Sequence, residues 1–267
     1  MTMIKLVATD MDGTFLDGNG QYNASRLEAV LDRFDDLGIR FAVASGRSLL
    51  ALTKMFEDFA DRIIFIAENG NVVKVGDDII FEANLSSDQY LDISKTLLGI
   101  PYMADYDFLL SGEKGAYVHN KSSKDYVDFI SHYYENVQRV PDFDNLSDKI
   151  FKLTANFAEE TVREGEAWVN QKIPYVQAVT TGFKSIDIIL RDVDKSTGIA
   201  EICKHFGISQ SEIIAFGDNL NDFEMLEYAG TAIATENARD EIKAISQQII
   251  GPCHEESVMA YMEGMVK

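Results

Sequence analysis

The chain has 267 residues, 46% hydrophobic and 25% charged, which is enough for a folded protein of two domains. With 44 acidic against 24 basic residues the formal charge is −20, which argues against a nucleic-acid partner and against an anionic membrane surface, since both are held by lysine and arginine. Two cysteines, Cys203 and Cys253, read as free thiols in a reducing compartment. The opening run is too short for a secretory signal and no stretch approaches a membrane span, so the expected location is cytoplasmic.

In chain order, four short apolar runs stop at polar residues in the same manner: residues 4–9, 40–44, 63–67 and 212–216. Each is about strand length and β-branched or aromatic-rich, as buried parallel strands are. Helical spacing lies between them over residues 24–37, closed by Gly38, and over 49–60. This alternation predicts an α/β fold with a doubly wound parallel sheet, whose ligands bind beyond the carboxyl ends of the strands. Residues 72–75 and 79–81 flank Gly76-Asp77-Asp78 as a hairpin.

From about Ala83 to Thr181 the composition changes. Helices are predicted over 88–98, 124–137 and 159–172, and strands over 116–119, 151–156 and 176–180. That content makes an inserted α+β unit. The apolar run 185–190 reads as the return to the first domain. The expected organisation is therefore core 1–82, insertion 83–184 and core 185–267.

The polar residues at the strand ends carry the chemistry. Asp10-Met11-Asp12-Gly13-Thr14 offers a carboxylate nucleophile and, two residues on, a general acid; the same residues would also make a solvated turn. Gly217-Asp218-Asn219-Leu220-Asn221-Asp222 presents hard oxygen ligands suited to magnesium, or an acidic helix start. Ser45-Gly46-Arg47 before a helix makes an anion site or an N-cap. Lys195 opens a helix, where a lysine holds an anion or lies on the surface. No Gly-rich nucleotide cradle is present, and the four histidines are scattered.

Taken together, Asp-x-Asp-Gly-Thr, Ser-Gly-Arg, the lone lysine and Gly-Asp-x-x-Asn-Asp, in this order, resemble the haloacid dehalogenase-like superfamily. The insertion between Ser45 and Lys195 resembles that of its Cof-like members, with a C2-type (IIB) cap on a Rossmann-like core. Many such proteins place glycine directly after the lysine; here Ser196 stands there and Gly198 follows later.

The resemblance implies a magnesium-dependent phosphatase of small phosphorylated metabolites, sugar phosphates foremost, working through an aspartyl phosphate. It makes Asp10 the nucleophile and Asp12 the acid and base. Asp10, Asp218 and the backbone carbonyl of Asp12 would hold Mg2+. Ser45, Gly46, Arg47 and Lys195 would bind phosphate or substrate, with Asn221 nearby and Asp222 orienting the lysine or a water on the metal. Residues 102–107, 111–115 and 181–183 of the cap are expected to read the leaving group. The competing readings are a phosphatase of FMN or pyridoxal phosphate, and a non-catalytic protein that binds a phosphorylated ligand. The partner expected is the small metabolite alone, with the chain a monomer or weak homo-oligomer.

Overall fold

The computed structural model describes residues 3–101, 103, 106–181 and 184–266. The chain divides into two compact units. One comprises the residues up to Ser45, Phe56–Phe81, and those from Asp194 onward; the other comprises Gly46–Met55 and Glu82–Val193.

Fourteen strands are formed among the described residues. They begin with β1 (Leu6–Thr9), β2 (Arg40–Ala44), β3 (Ile63–Ala67), β4 (Val72–Val75) and β5 (Asp78–Glu82). Next come β6 (Phe108–Gly112), β7 (Ala116–His119), β8 (Val137–Val140), β9 (Ile150–Asn156), β10 (Val176–Thr180) and β11 (Ser185–Leu190). The chain ends with β12 (Ile213–Gly217), β13 (Thr231–Thr235) and β14 (Gln248–Ile250).

The first unit is built on a sheet of order β14-β13-β12-β1-β2-β3-β4-β5, parallel from β14 to β3. The chain moves outward from β1 to β3, then returns on the other side of β1 with β12. The switch point therefore lies between β1 and β12, where an open α/β sheet leaves its crevice. Leu6, Val7, Ala8, Ala42, Val43 and Ala215 have no exposed surface because helices cover both faces.

On one face the helix Ala24–Leu37 buries Leu27, Val30, Leu31 and Phe34, spaced three and four apart as a single helical stripe requires. The Asn23 side chain caps it by accepting from the Arg26 N–H. On the other face the helix Lys195–Phe206 lays Ile199, Ile202 and Cys203 into the cluster of Leu6, Ala8, Ala42, Ala44, Ile64 and Ile66. A Cβ at Gly198 would come within 2.4 Å of Ile66, so the late glycine serves close helix–sheet packing rather than the turn after Lys195. Asp194 makes that turn instead, accepting from the Ser196 and Thr197 N–H groups.

The second unit carries a sheet of order β10-β11-β9-β6-β7-β8, antiparallel except for β7 with β8. The helices Ser87–Leu97 and Val162–Lys172 contribute Tyr90, Ile93, Leu97, Val162 and Val169 to a core with Phe108, Leu110, Leu153, Ala155, Ile186 and Ile188. The opposite face of the sheet is polar at its centre. There Lys152 and Asp187 form a buried ion pair of 2.7 Å, Thr154 donates to Asp187 at 2.7 Å, and the Tyr134 and Thr154 hydroxyls lie 2.8 Å apart.

Several sequence expectations change here. Ser185–Leu190, read as the return to the first domain, is β11, paired between β9 and β10 of the second sheet. A central strand buried on both faces has the same apolar run in either sheet, so burial pattern alone does not assign it. The helix expected over 124–137 stops at Ile130, and β8 follows. Asn136 adopts φ +50°, which no continuing right-handed helix allows. The helix expected over 49–60 ends at Met55, because Phe56 leaves helical geometry and stacks on Tyr22 at 4.7 Å.

Candidate active site

Asp10 directly follows β1, and its N–H donates to the Phe216 carbonyl of β12 at 2.9 Å, which fixes it at the switch point. The chain then turns through Asp12 (φ −80°, ψ 113°) and Gly13 (φ +88°, ψ −4°), the angles of a type II turn. Glycine is required at the second position by its positive φ. It is required again by space: a Cβ there would stand 2.5 Å from Asp218 Oδ2. Asp12 is exposed, and Thr14 is buried with its hydroxyl donating to Asp218 Oδ1 at 2.7 Å.

Asp218 follows β12. Its neighbour Asp222 is wholly buried, and Asp222 Oδ2 accepts the N–H groups of Asp218 and Asn219 at 2.9 and 3.0 Å. Asp222 Oδ1 accepts from Lys195 Nζ at 2.6 Å. Lys195 is also fully buried, and it donates to Asp10 Oδ1 as well. A lysine in this position is held by two carboxylates, not by solvent. Burial alone would lower its pKa, but the Asp10 and Asp222 charges outweigh that and hold it well above the ordinary range.

The acids feel the reverse. Burial raises Asp10 well above the usual carboxylate range, Asp222 raises it further, and Lys195 offsets part of this. Burial and the Asp222 charge push Asp218 up to about 7. Oxygens of Asp10, Asp218 and Asp222 lie within 4.8 Å of one another. Three close carboxylates facing one ammonium leave net negative charge in a buried space, and hard oxygen donors of this kind fit a divalent cation. Both Asp222 oxygens are already committed to Lys195 and the loop amides. Asp10 and Asp218 are the side chains suited to hold the ion.

Ser45 is buried at the end of β2, its N–H bonded to Ile66 and its carbonyl accepting from the Asn69 N–H at 2.9 Å. Asn69 adopts φ +55° and accepts from Asn221 Nδ2 at 3.2 Å. Thus Asp10, Asp12, Ser45, Lys195, Asp218, Asn221 and Asp222 all stand at the carboxyl end of the first sheet. Gly46 and Arg47 open the segment grouped with the second unit, where the Gly46 carbonyl accepts from Lys152 Nζ. Of the segments expected to read the leaving group, Tyr102, Ala104, Asp105, Gly182 and Phe183 lie outside the described residues. Within the others, Tyr106 stacks on His119 at 4.1 Å and Ser111 is buried within β6.

Sequence reading passed over Asn69 as a hydrogen-bonding partner, Asn237 and Arg239. The Asn237 amide donates to the Gly13 carbonyl at 2.7 Å, and the Arg239 N–H donates to the Asp218 carbonyl at 2.9 Å. Both follow β13, a short apolar strand ending in polar residues, so the strand-end rule that singled out Asp10 would have found them.

A model of the haloacid dehalogenase-like hydrolases matches residues 7–262. The chain belongs to this family. A 5-amino-6-(5-phospho-D-ribitylamino)uracil phosphatase of Escherichia coli is 35% identical over 99% of this chain and 97% of its own. A Streptococcus mutans protein of known crystal structure is 28% identical with a TM-score of 0.92, over 98% of this chain and 99% of that one. A subclass IIB sugar phosphatase of the same superfamily superposes with a TM-score of 0.80 over 98% of each chain. At 22% identity that last likeness speaks for the fold alone.

Proposed function

We propose that this haloacid dehalogenase-type phosphatase hydrolyses phosphate monoesters of small sugar-derived metabolites through an aspartyl phosphate on Asp10, with magnesium as its cofactor. The observation that carries the reading is the fully buried Lys195 ammonium set between Asp10 and Asp222. A buried cation beside a strand-end carboxylate is what attack on an anionic phosphoryl group requires, because nucleophile and target otherwise repel.

In this mechanism Asp10 attacks phosphorus and the ester oxygen departs with a proton from Asp12. Asp12 then takes a proton from the water that attacks the acyl phosphate, releasing inorganic phosphate and restoring Asp10. Lys195 balances charge on the phosphoryl oxygens, and Asp222 keeps Lys195 aimed. Ser45, Gly46 and Arg47 bind the phosphate, with Asn221 beside them. Asp10, Asp218 and the Asp12 carbonyl would hold Mg2+, which would supply further positive charge to offset the negative charge on the phosphoryl and leaving oxygens.

The second unit is proposed as the cap that selects the leaving group, with the domain division at about the boundaries read from the sequence except that Gly46–Met55 and β11 group with the second unit. The E. coli relative's name denotes a phosphorylated ribityl chain on a heterocycle, which supports testing polyol phosphates and heterocycle-bearing phosphates together. A cytoplasmic location and a monomeric or weakly associating state belong to the same reading.

The test is phosphate release from sugar phosphates, 5-amino-6-(5-phospho-D-ribitylamino)uracil, FMN and pyridoxal phosphate, with magnesium or with EDTA, and with Asp10→Asn as blank. Magnesium-dependent release absent from the blank is expected. Release that survives in Asp10→Asn overturns the mechanism, and silence across the panel from folded protein favours the non-catalytic ligand-binding reading.

A further inference from the structure

The turn that carries Asp12 is held from outside its own segment. The Gly13 carbonyl accepts from Asn237 Nδ2 at 2.7 Å and lies 3.4 Å from the buried Thr235 hydroxyl. The opposite end of the Asn237 amide is also occupied, its Oδ1 accepting from the Cys253 N–H at 2.9 Å. Two residues further on, the Arg239 N–H donates to the Asp218 carbonyl at 2.9 Å. A bond from the Ala238 N–H to the Thr235 carbonyl closes the segment into a turn of its own. One short loop therefore grips both acidic loops of the site by their backbones.

We infer that Asn237 is a positioning residue for proton transfer by Asp12, an inference that rests on the proposed role of Asp12 as general acid. Asp12 and Gly13 occupy the two central positions of a type II turn, and the Asp12 side chain is exposed. Asp10 and Lys195, by contrast, are buried and paired with each other. The backbone of the turn sets where the Asp12 side chain starts and so what its carboxylate can reach. Anchoring the Gly13 carbonyl fixes the exit side of the turn, while the Thr14 bond to Asp218 fixes the next residue along the chain. Asn237 is itself exposed, so water can take over its bond to Gly13 when the amide is removed. Truncation should loosen the turn without unfolding the protein. A proton donor displaced by as little as about 1 Å loses much of its effect, because transfer needs hydrogen-bond reach.

The leaving group separates this role from a merely structural one. A sugar or polyol alkoxide must be protonated as it departs, whereas p-nitrophenolate leaves without help. In the magnesium-loaded enzyme, Asn237→Ala should lower kcat/KM at least about tenfold for the best sugar or polyol phosphate of the panel, and less than about threefold for p-nitrophenyl phosphate. Asp12→Asn should show the same selectivity, more strongly. Adding Asn237→Ala to Asp12→Asn should then cost nothing further, since both act through one proton transfer. Equal losses on both substrates, no loss on either, or an additive loss in the double variant overturns the inference while leaving Asp12 as the acid. If Asp12→Asn itself shows no selectivity, the acid assignment fails and this inference fails with it.

Discussion

The Thr14 hydroxyl donates to Asp218 Oδ1 at 2.7 Å, joining residues 204 positions apart. The bond ties the loop after β1 to the loop after β12, so the two acidic clusters form one site. It also orients the Asp218 carboxylate, whose other oxygen faces Gly13. The site is thus assembled by hydrogen bonds between loops as much as by the strands that end there.

Replacing Asp10 by asparagine preserves shape and removes the nucleophile. Asp10→Asn should fold as the wild type does by circular dichroism and lose turnover at least about a thousandfold. Near-native phosphate release from this variant would rule out an aspartyl phosphate.

Removing Lys195 should cost stability as well as activity. Lys195→Met leaves Asp10 and Asp222 buried without their cation, an arrangement that destabilises by about 3–5 kcal/mol when one partner of a buried pair is lost. Urea unfolding in EDTA measures this directly. A loss under about 1 kcal/mol would mean that the carboxylates are neutralised by protons rather than by the lysine.

The raised pKa values give a pH dependence of definite sign. Asp218 stands at about 7 against an ordinary 3.8, so between about pH 4 and 7 the folded chain binds more protons than the unfolded chain. The Asp218 contribution to stability therefore falls as pH rises through that window. With chelator present, the melting temperature of the wild type relative to Asp218→Asn should decline from about pH 4 to 7, and a divalent cation should reverse the decline by taking the proton's place. A flat or rising difference would contradict the burial and Asp222 repulsion assigned to this group.

In the second unit, Asp187→Ala should expose how much rests on the buried Lys152 pair. It strands a buried ammonium and leaves the Thr154 hydroxyl without its acceptor, a cost of about 3–5 kcal/mol. Hydrogen exchange should show β9 and β11 losing protection first. Protection unchanged in those strands would place the pair's energetic weight elsewhere.

The amino-acid sequence by itself determined the strand ends, the acidic motifs and the inserted α+β unit, because each is a local pattern. Apolar runs of strand length report burial, and the polar residues that stop them report the carboxyl edge of a sheet. Asp10, Ser45 and Asp218 were legible on that ground before any pairing was known. Tertiary structure decided what local pattern does not contain. Ser185–Leu190 has the burial of a core strand and joins the second sheet, since an apolar run does not say which layer covers it. Gly198 serves the contact with Ile66 rather than the turn beside Lys195. Asp222 is consumed by Lys195 and the loop amides, and Asn237 reaches Gly13 across 224 positions. A hydrogen bond depends on where two atoms lie in space, and the chain between them carries no periodic trace of it.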